Sequence, residues 1–249
     1  MRRLAIILLV CLVTGLYLSP TILAQTPEAE GGEEAKVEPT GVIYFSVFDR
    51  DVKRLTFDIY RSNVDGSNME VVIKEASQPC LSPDGKALAY RSWLAEEYGR
   101  NARGLVVRAF TEEGKLSPDK WIFTSYPEAA RPSWGPESQF LLFHSYQEAD
   151  RRPRVLRTEG DKVVGIKIEE ERWLEGTMPA LQVLPGKKKG TIEMYVIYNS
   201  CLFEHCGLFR RMLDGSGPVQ LVDDPTAHAP AFSPDMTKVV YMSTIQAKN

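Results

Sequence analysis

Pro79-Cys80-Leu81-Ser82-Pro83-Asp84-Gly85-Lys86-Ala87-Leu88-Ala89-Tyr90-Arg91-Ser92 decides how the rest of this chain is read, because weaker copies of it follow at a nearly fixed interval. Its middle, Ser-Pro-Asp-Gly, is turn chemistry: Pro presets φ, Asp bonds the backbone just ahead of it, and Gly accepts a positive φ without steric cost. Two strands meet at such a turn. The segment that follows, Ala87 to Tyr90, is short, apolar and ends in an aromatic residue, as a strand packed between sheets does.

The copies are Arg131-Pro132-Ser133-Trp134-Gly135-Pro136-Glu137-Ser138, then Met178-Pro179-Ala180-Leu181, then Ala229-Pro230-Ala231-Phe232-Ser233-Pro234-Asp235. Prolines 79, 132, 179 and 230 are 53, 47 and 51 residues apart, a period that belongs to a propeller-like array in which each unit is one small sheet. After each copy comes an apolar strand ending in Ser: Leu88 to Ser92, Phe140 to Ser145, Met194 to Ser200, and Val239 to Ser243. Val42 to Ser46 reads as the same strand in an earlier unit that lacks its first strand. A third strand leads into Asp65-Gly66 and Asp214-Gly215, and Asp-Gly between strands is a strong hairpin signal. Met69 to Ile73 and Val219 to Val222 then read as outer strands, short and rich in β-branched residues.

These stretches resemble the TolB-type, WD-like propeller repeat of exported bacterial proteins, whose units run Pro-x-aromatic-Ser-Pro-Asp-Gly, a strand ending in Ser, then Ile-Tyr and an Asp-Gly turn. The resemblance covers about 42 to 243. It is strongest at 58 to 92 and 207 to 243, and weakest at 179 to 200, where Val183-Leu184-Pro185-Gly186-Lys187 stands in place of Ser-Pro-Asp-Gly. It implies an all-β fold of four-stranded blades around a channel, with strand one innermost. The expected units lie near 41–76, 77–129, 130–176, 177–227 and 228–245. Five second strands do not fit a four-blade ring, so the expectation is an open or irregular propeller of four to five blades, incomplete as a ring.

The ends and the charge indicate a compartment. Met1-Arg2-Arg3, the apolar run Leu4 to Leu18, and Ile22-Leu23-Ala24 read as a secretory signal over 1–24, or as an uncleaved signal anchor. Residues 25–40 are acidic and carry almost no apolar bulk, which predicts a flexible linker. The folded part would then be periplasmic or secreted. Without residues 1–24, whose only charges are Arg2 and Arg3, 28 basic side chains face 33 acidic ones. That balance argues against a nucleic-acid partner, which calls for a concentrated basic face. Gly186-Lys187-Lys188-Lys189-Gly190 reads as a solvated hairpin tip.

No Gly-x-Ser-x-Gly elbow, His-Glu-x-x-His pair, phosphate-cradling loop or dinucleotide fingerprint is present, so no catalytic residue, cofactor or metal is assigned. The three histidines, His144, His205 and His228, fall in different units. Cys80 reads as a buried small hydrophobe in an innermost strand. Cys201 and Cys206 flank a short loop; a disulfide is the natural reading in an oxidising compartment, with free thiols or a metal site including His205 as alternatives. Propeller ligands meet the rim and the channel mouth, where the register of the four prolines places Gln78, Arg131, Met178 and Ala229, preceded by Ser77, Ala130, Thr177 and His228. The polar members, Gln78, Arg131, Thr177 and His228, are the binding candidates. Leu94 to Gly104, with Trp93, Tyr98, Arg100 and Arg103, is a second candidate surface. The expected function is an exported, non-enzymatic platform for a protein or small ligand, with protein partners implied by the resemblance. The alternative is a propeller lyase or hydrolase acting on carbohydrate or peptide, which would need histidines to converge on Arg131.

Overall fold

The computed structural model describes residues 40–49, 56–93, 104–122, 128–146, 152–159, 162–168, 172–202, 205–233 and 235–244. The leader at 1–24, linker residues 25–39, and loop residues Tyr98, Arg100 and Arg103 lie outside the described residues.

The described residues fold into five antiparallel sheets in succession. The first has three strands, β1 (Val42–Asp49), β2 (Thr56–Asn63) and β3 (Glu70–Ile73). Three four-stranded sheets follow: β4 (Ala76–Leu81), β5 (Ala87–Ser92), β6 (Gly104–Ala109) and β7 (Trp121–Ile122); β8 (Ala130–Trp134), β9 (Leu141–Tyr146), β10 (Pro153–Glu159) and β11 (Lys162–Gly165); β12 (Thr177–Pro185), β13 (Ile192–Leu202), β14 (His205–Met212) and β15 (Val219–Val222). The last is a hairpin, β16 (His228–Phe232) and β17 (Val239–Met242). In each of the four-stranded sheets the strands lie side by side in chain order, as in a propeller blade. The architecture is the all-β, incomplete propeller that the repeats imply.

The Ser-Pro-Asp-Gly turn shows why the repeat is legible. Asp84 Oδ1 accepts from Ser82 Oγ at 2.6 Å and from the Lys86 N–H at 3.1 Å, while Ser82 Oγ accepts the Ala87 N–H at 2.9 Å and Gly85 takes φ +70°. These bonds to the carboxylate, above all that from Ser82, hold Asp84 below the usual carboxylate range. Ser233 and Asp235 repeat the arrangement, with Met236 at φ 58° in the glycine position. All four turns close with the same backbone bond five residues along: Ser82 to Ala87, Gly135 to Phe140, Gly186 to Thr191 and Ser233 to Lys238, at 2.8 to 2.9 Å.

Successive sheets bury four separate apolar layers. Ile59, Ile73, Leu88, Tyr90 and Val106 fill the first; Leu105, Ala129, Phe143 and Leu156 the second. Leu142, Val155, Ile166, Leu181, Val196, Tyr198 and Phe209 fill the third, and Ile197, Leu208 and Ala227 the fourth. Adjacent residues of one strand point into different layers: Leu142 into the third and Phe143 into the second, Ile197 into the fourth and Tyr198 into the third. Both faces of each middle sheet are therefore covered, which is why the strands are continuous apolar runs and not alternating ones. Each fully buried side chain of this size contributes roughly 1.5–3 kcal/mol.

The layering stops at the ends. No sheet beyond β17 covers it among the described residues, and Val240, Tyr241 and Met242 are 53%, 38% and 43% exposed. The innermost strands form an arc: β4 packs on β8, β8 on β12 and β12 on β16. Cys80 departs from expectation. It is half-buried at the inner edge of its sheet, and its carbonyl accepts the indole N–H of Trp134 from the next sheet at 3.0 Å.

Candidate functional site

Each innermost strand opens with the same irregularity. The pairing of β4 with β5 slips between Ser77 and Cys80, that of β8 with β9 between Ala130 and Ser133, β12 with β13 between Thr177 and Ala180, and β16 with β17 between His228 and Ala231. Inside each slip the residue before the proline is left-handed: Gln78 at φ 56°, Arg131 at 56°, Met178 at 54° and Ala229 at 51°. Non-glycine residues hold that conformation at a cost of about 1–3 kcal/mol each, so surrounding contacts must over-determine it. Bulges of this kind re-aim side chains and backbone donors toward functional rims.

Those contacts run from sheet to sheet. The Gln78 N–H donates to Ser46 Oγ at 2.9 Å, and Gln78 Oε1 in turn accepts the Arg131 N–H at 2.8 Å. The Met178 N–H donates to His144 Nδ1 at 3.1 Å, and the Leu181 N–H to Ser133 Oγ at 3.2 Å. Three successive bulges are thus fastened to the preceding sheet through a side-chain acceptor. The result is a knitted rim at the mouth of the arc.

The register identifies a second set of rim positions. Arg91 lies opposite Ser77, His144 opposite Ala130, Asn199 opposite Thr177 and Met242 opposite His228. Arg91 forms an ion pair with Glu128, and its guanidinium lies 5.6 Å from the Trp93 ring centre. Trp93 Nε1 donates to Ser77 Oγ at 3.0 Å. His144 is 7% exposed and stands edge-on to Tyr146, with ring centres 6.2 Å apart. Burial first, then the nearby Arg91 and Arg131 charges, push the His144 pKa down to about 3. The imidazole is therefore neutral, and its bond from Met178 places the proton on Nε2.

Of the four residues expected at the mouth, Gln78 and Arg131 meet directly. The Gln78 side chain is committed to holding the rim. The Arg131 guanidinium, half-buried so that desolvation lowers its pKa, makes no hydrogen bond or ion pair among the described residues. Thr177 joins the cluster only through its neighbour Met178, and faces Asn199. His228 sits further along the arc, its Nδ1 2.6 Å from the Thr226 carbonyl. The sequence reading passed over Arg91, Asn199 and Met242, although each directly precedes the Ser that marks the end of a second strand.

Cys201 and Cys206 are cross-strand partners at the end of β13 and the start of β14, with Cα atoms 4.0 Å apart and a bond between their sulfurs. His205 beside them is exposed and lies 4.0 Å from Asp223. No group of three or more metal-ligating side chains occurs among the described residues. The three histidines occupy three settings: His144 buried at the rim, His205 on an exposed hairpin, His228 on a loop carbonyl.

The arc superposes on propellers. TolB of Acinetobacter baumannii matches with a TM-score of 0.61 at 14% identity, over 84% of this chain and 48% of that one. The fold is a TolB-type β-propeller. A protein assigned as TolB in Agrobacterium tumefaciens matches with a TM-score of 0.56 at 16% identity, over 83% of this chain and 71% of its own. The propeller domain of the Trilobed protease of Pyrococcus furiosus, described as having an open velcro topology, overlaps at a TM-score of 0.44 and 14% identity, over 82% of this chain and 76% of its own. The chain spans about half the length of the Acinetobacter TolB. No family model and no curated protein matches it.

Proposed function

We propose that this chain is an exported, non-enzymatic binding module of the cell envelope, and that it engages a protein partner at the channel mouth. The observation that carries this reading is the construction of the mouth. Three strained bulges are tied to neighbouring sheets by Ser46, Gln78 and His144, which fixes the rim, while Arg131 and the exposed Tyr146 remain over it. A rigid rim carrying aromatic and Arg side chains suits recognition, because little freedom is lost on binding. The dispersed histidines give an acid–base pair no place to form among the described residues. The basic-then-apolar start of the chain and the Cys201–Cys206 pair both fit an oxidising compartment.

Site-specific photo-cross-linking of the full-length chain in its own host tests this. A photoreactive residue at position 146 is expected to give a discrete protein adduct, and one at Lys188, on the tip between β12 and β13, none. Adducts at Lys188 alone, or at neither position, contradict the reading.

A further inference from the structure

We propose that the mouth binds the carboxylate of an acidic peptide segment, held between the Arg131 guanidinium and the His144 Nε2–H. The inference rests on the mouth being the binding face and adds the chemistry of what it takes.

The charges at the rim are unequal in their commitments. Arg91 is neutralised by Glu128 and covered by Trp93. Arg131 has no counter-charge among the described residues. A half-buried guanidinium without a partner keeps a desolvation cost that an incoming anion offsets. Its planar fork matches a carboxylate through two parallel hydrogen bonds.

His144 adds a neutral donor. Because Nδ1 accepts from the Met178 N–H, Nε2 carries the hydrogen, and it makes no hydrogen bond among the described residues. The Arg131 charge acts on His144 directly, and a cation and a neutral N–H on the same stretch of rim complement an oxyanion, whereas they repel a second cation. The neighbours select the kind of oxyanion. Tyr146, 44% exposed, stands edge-on to His144, and Trp93 lies beside Arg91, so apolar area flanks the charge. A free inorganic anion gains nothing from such area. A peptide, with side chains on either side of its carboxylate, does.

The test uses fluorescein-labelled, end-blocked hexaglutamate and hexaglutamine peptides, titrated at low salt against the full-length protein and followed by anisotropy. Hexaglutamate is expected to bind and hexaglutamine not to. Arg131→Gln is expected to weaken binding by about tenfold or more, as loss of a charge-assisted bond does, and Lys188→Gln to leave it unchanged. Arg131→Lys, which keeps the charge without the fork, is expected to fall between. Inorganic phosphate, tested on the wild type and therefore independent of any variant's folding, is expected to displace the peptide only weakly. Equal binding of the two peptides, equal losses at Arg131 and Lys188, or tighter binding of phosphate than of hexaglutamate overturns the proposal. If it fails while position 146 still cross-links a protein, the binding face stands and only the ligand chemistry is wrong.

Discussion

Protonating His144 should unfasten the rim, and the structure says over which pH range. The imidazole is buried, accepts the Met178 N–H on Nδ1 and faces two guanidinium groups, so its pKa falls from the ordinary 6.5 to about 3. The unfolded chain takes up this proton near pH 6.5, and the folded chain only near pH 3. Stability is therefore fully present above the unfolded value and is lost as pH falls through the window between the two. The slope approaches about 1.4 kcal/mol per pH unit, which amounts to roughly 2.5 kcal/mol between pH 7 and pH 4.5. Asp84, Asp214, Asp224 and Asp235 are also held below the carboxylate range, mainly by hydrogen bonds, and add their acid sensitivity only at lower pH. His144→Asn isolates the effect, since asparagine keeps an acceptor near Nδ1 and already occupies the corresponding position 199. Urea unfolding followed by tryptophan fluorescence at pH 7 and pH 4.5 gives the two stabilities for each protein. Wild type should lose about 2.5 kcal/mol more than the variant across the interval. Equal losses would refute the claim that His144 is held neutral by burial and charge.

Other perturbations follow from the same geometry. Gln78→Ala removes the acceptor of the Arg131 N–H and should cost about 1–3 kcal/mol in urea unfolding, whereas Ser67→Ala, in the exposed turn after β2, should cost less. Joint replacement of Cys201 and Cys206 by Ser should lower stability by about 2 kcal/mol, and mass spectrometry of wild type purified without reductant should gain two alkylatable thiols only after reduction. Val240→Lys, on the open face of β17, should leave the melting temperature nearly unchanged while reducing concentration-dependent association by light scattering.

The fold was legible because its turns carry their own chemistry. Ser82 and Asp84 close a loop with bonds from their own side chains, and Ser233 and Asp235 repeat them, so the period could be read from two good copies. The second and third turns keep the same closing bond without the motif, through Gly135 and Gly186. Backbone closure tolerates several sequences, which is why the resemblance weakens at 179 to 200 although the sheet there is complete. The site was only half legible. Proline spacing located Gln78 and Arg131, but a residue before proline is expected in extended backbone, and the left-handed bulge was invisible. The bulge rotates the donors of Arg131 and Met178 onto Gln78 and His144. Arg91 and His144 gain their importance from cross-strand register, which local patterns do not encode. Cys80 was read as buried because its strand is innermost, yet that strand is the edge of its sheet and the side chain is half-buried.

Hydrogen–deuterium exchange of the full-length chain, alone and with the protein captured at position 146, tests the binding mouth most directly. The account predicts that the partner slows exchange in Ala130–Trp134 and Thr177–Leu181 and leaves the tip at 186–191 unchanged. Protection confined to that tip, or to the outer strands β3 and β15, would contradict it.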